Sequence, residues 1–191
     1  MLQNSEKRYG AVAMTLHWLI AAAIVTMLVV GKYMVDLPDN DAGKFALYQL
    51  HKASGLTVLA LSVARIVWRL VNVVPPSPAS MPAWQRWAAG GSHLALYFLM
   101  IAIPLTGWAV ASASPLGIPT LWFGLFDVPH LPGLQGLADQ KGTEEFLAGV
   151  HEWLGNGMIL FIVLHIFAAF KHHFWDRDTV LRRMLPFTRV E

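Results

Sequence analysis

Residues 150–173 read VHEWLGNGMILFIVLHIFAAFKHH, an apolar run interrupted by histidines at positions 151 and 165. A hydrocarbon core of about 30 Å requires roughly 20 residues of α-helix, so this stretch is long enough to span a membrane. Fourteen residues make about four helical turns, which places His151 and His165 on nearly one face, roughly 21 Å apart along the axis. Ionisable side chains are costly inside a membrane and usually have a function. The stretch therefore predicts a transmembrane helix that presents imidazole groups at two depths.

Three further segments have the length and apolar composition of membrane-spanning helices. They cover about residues 12–35, 51–70 and 92–111. Hydrophobic residues make up 55% of the 191-residue chain and charged residues 14%, well below the roughly 25% charged residues of ordinary soluble domains. We therefore expect one all-α domain over residues 1–191, an integral membrane four-helix bundle with up-down-up-down topology.

The distribution of Lys and Arg predicts how the bundle is oriented. Most basic residues flank one end of the helices, which the positive-inside rule assigns to the cytoplasm. These ten are Lys7, Arg8, Arg65, Arg69, Arg86, Lys171, Arg177, Arg182, Arg183 and Arg189. The opposite end has only Lys32, Lys44, Lys52 and Lys141. Both termini are therefore expected in the cytoplasm, with the loop at about 112–149 outside. The basic residues mark a membrane face, and we expect no nucleic-acid partner.

Four histidines fall into two layers of the predicted bundle. His17 lies near the cytoplasmic start of the first helix and His165 near the cytoplasmic end of the fourth. His51 and His151 open the second and fourth helices at the outer side. One inner pair and one outer pair result.

Paired imidazoles at two distant depths favour two stacked haems over a single metal ion. Each haem would take one axial nitrogen from the fourth helix and the other from a neighbouring helix, and bis-histidine ligation suits electron transfer. A catalytic zinc site generally requires three protein ligands close together, which this pattern does not offer. The chain has no cysteine, which excludes Cys-ligated iron–sulfur clusters and covalent c-type haem. Taken singly, each histidine is more typical of an interfacial or hydrogen-bonded residue than of a ligand, and it is the arrangement in two pairs that favours haem.

Two glycines and an arginine accompany these histidines. Gly55 and Gly155 each lie one turn beyond a histidine, where a missing side chain would let a flat macrocycle approach the backbone. Helix packing is the alternative role for such glycines. Arg65 lies 14 residues beyond His51, on nearly the same face at the inner level. It suits a haem propionate, and a positive-inside anchor is the alternative.

An ordered set of motifs over nearly the whole chain resembles the bacterial cytochrome b561 family of four-helix, quinone-linked dihaem proteins. The matching stretches are Leu16-His17-Trp18-Leu19; His51-Lys52-Ala53-Ser54-Gly55 with Arg65 and Arg69; His93-Leu94-Ala95-Leu96-Tyr97 with Pro104; His151-Glu152; His165; and His172-His173-Phe174-Trp175. The resemblance implies two haem b groups in a bacterial inner membrane, with His17 and His165 on the inner iron and His51 and His151 on the outer iron.

The resemblance also implies the partners. His93 and His172 would bound a ubiquinone pocket near the inner haem. The most specific electron donor that the family offers is superoxide, oxidised at the outer face with ubiquinone as acceptor, which would make the protein a superoxide:quinone oxidoreductase. Lys52 and Lys141 would then gather a positive patch for the anion, although acidic residues outnumber lysines at that face.

Two other functions remain open at this point. The chain could be the haem b membrane anchor of a dehydrogenase or hydrogenase, receiving electrons from an unidentified donor on the outer side. It could also be a haem-free transporter that uses its histidines as a proton or metal relay.

Overall fold

A computed structural model of the chain describes residues 1–188 and contains the four expected helices. These are α1 (Ala11–Asp36), α2 (Lys44–Val71), α3 (Ala83–Ala113) and α4 (Gln140–Phe170). All four are long and apolar enough to cross a membrane. α4 continues into a π-helical turn at Lys171–Trp175, and a short 3-10 helix covers Arg182–Met184. Arg189, counted above among the basic residues, lies outside the described residues.

Three helices begin seven to ten residues earlier than the apolar runs suggest. α2 begins at Lys44 rather than near 51, α3 at Ala83 rather than near 92, and α4 at Gln140 rather than near 150. The first turns of α3 and α4 contain polar residues, whereas that of α2 is mostly apolar after Lys44. A helix can extend in this way beyond the hydrocarbon into the interface. At α4 the Asp139 carboxylate caps this extension by accepting from the Gly142 N–H at 2.9 Å.

Consecutive helices pack closely against each other: α1 with α2, α2 with α3, and α3 with α4. Contacts between the helices show that they alternate in direction. Arg65 of α2 reaches Ala13 near the start of α1, and Glu152 near the start of α4 pairs with Lys32 near the end of α1. The bundle therefore has one end that carries both termini, the terminal end, and one that carries the long loop, the loop end.

The centre of the bundle is small and apolar. It is formed by five buried side chains from three helices, namely Ile20, Leu99, Met100, Leu154 and Met158. Met158 is 2% exposed and lies seven residues from both His151 and His165. Many large apolar side chains instead face outward, such as Leu94, Val163 and Phe167. This distribution fits a protein whose outer surface contacts lipid.

The loop between α3 and α4 contains a two-stranded antiparallel hairpin, β1 (Thr120–Trp122) with β2 (Phe126–Val128). Its turn places Phe123 and Gly124 at φ 48° and 74°, as in a type I′ turn, and glycine adopts such angles without steric cost. The hairpin is tied to α2 because the Trp122 indole N–H donates to the Thr57 hydroxyl at 3.0 Å.

We expect Met158→Ala to destabilise the protein much more than Phe167→Ala. Met158 fills the centre, and truncating such a side chain leaves a cavity that typically lowers the free energy of unfolding by about 2 kcal/mol or more. Phe167 is 71% exposed and is replaced by lipid or detergent when truncated. Thermal unfolding of both purified variants in one detergent measures the difference. Equal effects of the two substitutions would show that the apolar cluster is not the core.

Candidate cofactor sites

The histidines of the loop end face each other across the bundle. His51 on α2 and His151 on α4 have ring centres 6.3 Å apart and ring planes 81° apart. The pair at the terminal end repeats this arrangement, with the ring centres of His17 on α1 and His165 on α4 separated by 6.2 Å. Both pairs join α4 to a helix other than α3, its close packing partner.

These separations fit two imidazoles on opposite sides of one metal ion. An imidazole nitrogen binds a metal at about 2 Å and lies about 1.1 Å from the ring centre, so two axial rings have centres roughly 6.2 Å apart. Two histidines alone leave four equatorial positions of an octahedral ion without protein ligands. The arrangement therefore suits a planar tetradentate ligand between the rings.

The ring of His151 is held in one orientation by α3. Its Nδ1 lies 2.9 Å from the Ile103 carbonyl oxygen and 3.1 Å from the Thr106 hydroxyl. A carbonyl only accepts hydrogen bonds, so this contact requires that Nδ1 carries the proton, which leaves Nε2 as a metal ligand. The Nδ1 atom of His51 is buried and has no hydrogen-bond partner among residues 1–188.

Two glycines that the sequence analysis did not single out touch the loop-end rings. A Cβ atom added to Gly31 would lie 3.1 Å from the His51 Cε1 atom, and one added to Gly107 would lie 3.0 Å from the His151 Cε1 atom. Neither ring could keep its position beside an ordinary side chain there. The signal was present in the sequence, because Gly31 lies 14 residues after His17 and Gly107 lies 14 residues after His93.

The two predicted glycines, Gly55 and Gly155, face other neighbours than the histidine rings. A Cβ atom at Gly55 would meet the Met27 side chain at 3.7 Å, and one at Gly155 would meet Leu28 at 4.0 Å. Both distances are ordinary van der Waals contacts with flexible side chains of α1. Gly55 and Gly155 therefore leave space toward α1 rather than toward a histidine ring.

His93 and His172, the predicted quinone residues, occupy different positions at the terminal end. The His93 ring centre lies 5.6 Å from that of His165, so His165 stands between His17 and His93. His172 lies seven residues beyond His165, about 10 Å farther along the helix axis. Only His93 is therefore brought next to the terminal-end pair.

His172 belongs to a network of charged side chains in the π-helical turn. It is buried, and its Nδ1 lies 2.7 Å from Asp178 Oδ2 and 3.1 Å from Asp176 Oδ2. The Lys171 ammonium group lies 2.6 Å from the same Asp176 oxygen. The His172, Asp176 and Asp178 donors are close enough to hold a metal ion, but the lysine already compensates one carboxylate. π-Helical turns occur frequently at functional sites.

The lysines predicted for the outer face are engaged in other contacts. Lys52 is half-buried and donates to the Pro119 carbonyl oxygen at 3.1 Å, which ties the loop to α2 beside His51. Lys141 lies 3.8 Å from Glu145 on the same exposed face of α4. Arg65 donates to the Ala13 carbonyl oxygen at 3.1 Å, one turn before His17.

Known proteins whose sequences are similar to nearly the whole of this chain were found by sequence comparison. Residues 8–187 match the family described as prokaryotic cytochrome b561. The chain is 37% identical to cytochrome b561 homolog 2 of Escherichia coli strain K12, over 95% of this chain and 93% of that protein. It is 25% identical to cytochrome b561 homolog 1 of the same organism, over 94% and 97% of the two chains.

A further relative is named as the probable superoxide oxidase CybB of Yersinia pestis, 26% identical over 95% of this chain and 97% of that protein. The family match covers nearly the entire chain, and the first relative is similar over nearly its whole length. The chain therefore belongs to the prokaryotic cytochrome b561 family.

Proposed function

We propose that this membrane cytochrome transfers electrons through two b-type haems to a quinone. Membership of the family implies haem b. The observation that supports two haems is the repeated histidine pair, with ring centres 6.2 Å and 6.3 Å apart at two depths. The orientation of His151 by the Ile103 carbonyl further supports a metal-binding Nε2.

The proposed ligands are His17 with His165 for the inner haem and His51 with His151 for the outer haem. When bound, each haem would supply a one-electron couple, and the two histidines of one pair would hold it. These residues would orient the cofactors and exclude water from them. With both histidines engaged in this way, an electron donor would have no need to bind at the iron.

The basic residues support an orientation with both termini in the cytoplasm. Thirteen of the fourteen Lys and Arg residues lie among residues 1–188; nine of these flank the terminal end and four the loop end. By the positive-inside rule the terminal end faces the cytoplasm of a bacterial inner membrane. The pair His51 and His151 is then the outer one, beneath the hairpin loop.

The proposed quinone site lies at the terminal end, between His93 and the buried His172. Reduction of a quinone to a quinol takes up two protons together with two electrons. His172 suits proton delivery because its Nδ1 lies 2.7 Å from Asp178 and 3.1 Å from Asp176, and Asp176 pairs with Lys171 at the terminal end. The other ring nitrogen of His172 is then available to a quinone oxygen.

The proposed donor is superoxide at the outer face, as the name of the Yersinia pestis relative suggests. Two superoxide ions would release one electron each and leave as O₂, while one quinone takes up both electrons and two cytoplasmic protons. Lys52 beside His51 and Lys141 on α4 are the cations placed to attract the anion.

The first prediction concerns haem content in three alanine variants. We expect about two haems per wild-type chain, one in His17→Ala and one in His51→Ala, because each variant loses an axial ligand. His93→Ala, the matched control at the terminal end, should keep both. Reduced-minus-oxidised spectra with haem quantified per chain measure this. If His93→Ala lost a haem while His17→Ala kept two, the inner iron would lie between α3 and α4 instead.

The second prediction concerns the donor. Superoxide added to the purified protein with a soluble quinone should form one quinol per two superoxide ions. Lys52→Gln should slow this reaction severalfold at low ionic strength, since the variant removes a positive charge beside the outer site, whereas Lys7→Gln at the terminal end should not. Quinol formation and superoxide loss are followed by absorbance. A protein whose haems are reduced by dithionite but never by superoxide would have another donor, as expected of a membrane anchor subunit.

The third prediction concerns proton delivery. Asp178→Asn should slow quinol formation about tenfold or more, because an amide cannot carry a proton to His172. Reduction of the haems by dithionite should be unchanged, and Asp36→Asn at the loop end serves as the control. Stopped-flow measurement of haem reoxidation by quinone gives the rate. An unchanged rate in Asp178→Asn would remove His172 and Asp178 from the proton path.

A further inference from the structure

Two arginines of α2 share one aromatic ring at the terminal end. The guanidinium carbons of Arg65 and Arg69 lie 6.0 Å and 5.7 Å from the centre of the Tyr97 ring on α3. The two residues are four apart and therefore neighbours on the helix surface, where like charges repel. No carboxylate among residues 1–188 lies within 4.0 Å of either group. Two adjacent positive charges without a carboxylate partner favour the binding of an anion at this position.

Trp68 supplies a second, independent indication at the same place. Its indole Nε1 atom is buried and has no hydrogen-bond acceptor among the described residues. Buried indole N–H groups usually have a hydrogen-bond acceptor, since a buried donor without a hydrogen bond is unfavourable. Trp68 lies between the two arginines in sequence, and all three side chains line one cavity. The Trp68 N–H group, which has no acceptor among the described residues, therefore lies beside two arginines that have no carboxylate partner there.

The cavity is small and closed by the ends of the chain. Its volume is about 20 Å³, little more than the 10–15 Å³ that one water molecule occupies on this measure. Asn4 and Met184 complete its lining, and both belong to terminal segments that are tied to the helices. Asn4 donates to the Val73 carbonyl oxygen, and the Met184 carbonyl oxygen accepts from Trp18. A carboxylate is smaller than a phospholipid head group and would therefore require less movement of the side chains that line this space.

The position of the cavity indicates where such a carboxylate comes from. Ala13, which also lines it, precedes His17 by four residues, one helical turn. The Arg65 guanidinium group is fixed at this level by its hydrogen bond to the Ala13 carbonyl oxygen. A haem held by His17 would carry two propionate groups at its edge. Such a propionate would supply an anion for Arg65 without the need for a separate ligand in the cavity.

We propose that Arg65, Trp68 and Arg69 form a binding site for a propionate of the inner haem. The inference rests on the proposed function and deepens it, because it assigns roles to Trp68 and Arg69. The two guanidinium groups neutralise the carboxylate, and the indole N–H donates to it. Positive charge beside a haem favours the reduced, more negative state, so the site raises the reduction potential of the inner haem relative to the same haem without it.

Potentiometric titration of the purified full-length protein tests this site. Arg69→Gln removes one charge, and Trp68→Phe removes only the N–H while keeping an aromatic ring. Lys7→Gln, an exposed cytoplasmic cation, and Trp87→Phe, an exposed tryptophan, are the matched controls. At a fixed ambient potential, we expect the reduced-to-oxidised ratio of one haem to fall about tenfold in Arg69→Gln, a shift of about 59 mV for one electron. Trp68→Phe should cause a smaller shift in the same direction.

The affected haem is identified in two single-haem backgrounds. The shift should persist with His51→Ala, which retains the inner haem, and vanish with His17→Ala, which retains the outer one. Two bound haems whose potentials do not move in either variant would overturn the propionate site while leaving the proposed function intact. Loss of a bound anionic phospholipid by native mass spectrometry, with unchanged potentials, would overturn it in favour of a lipid phosphate. Wild-type protein without haem would contradict the proposed function itself.

Discussion

The helical backbone imposed by a membrane is the constraint on which this structure depends. Backbone groups in hydrocarbon must be paired within the helix, so functional side chains can be placed only at helical intervals. Fourteen residues make almost four full turns and bring a side chain back to the same face. In each helix, the two positions that form the histidine sites are separated by these fourteen residues. The four pairs of positions are His17 and Gly31, His51 and Arg65, His93 and Gly107, and His151 and His165.

Because of this interval, the same helix faces carry the site residues at both ends of the bundle, although the residue types differ. At the loop end it places a glycine of α1 against His51 and a glycine of α3 against His151, which leaves room for the rings. At the terminal end the corresponding positions carry His17 and His93, and α2 contributes Arg65 there. The apolar cluster around Met158 separates the two levels and keeps them about 21 Å apart along α4.

The sequence was sufficient for the number of helices and for which histidines face each other, because length, hydropathy and spacing are local properties of the chain. Helix starts were less predictable, since the first turn of α4 is polar and Gln49 interrupts the apolar residues at the start of α2. The glycine contacts were missed for another reason. Gly55 and Gly155 were predicted to let a macrocycle approach the backbone, which stays a prediction, whereas the glycines that touch the histidine rings, Gly31 and Gly107, lie on the neighbouring helix. The unpartnered Trp68 N–H depends on tertiary packing, which no local pattern reports.

The hydrogen-bond partners of the imidazoles differ between the two ends in a way that bears on proton movement. At the loop end, Nδ1 of His151 donates to a backbone carbonyl that cannot take up a proton, and Nδ1 of His51 has no partner among the described residues. At the terminal end, His172 contacts two carboxylates, which exchange protons readily with water. An electron can therefore enter at the loop end without a change in protonation. Under the proposed function, His172 and its two carboxylates would supply protons at the end where the quinone site is proposed. With the proposed orientation, these protons would be drawn from the cytoplasm without any moving part.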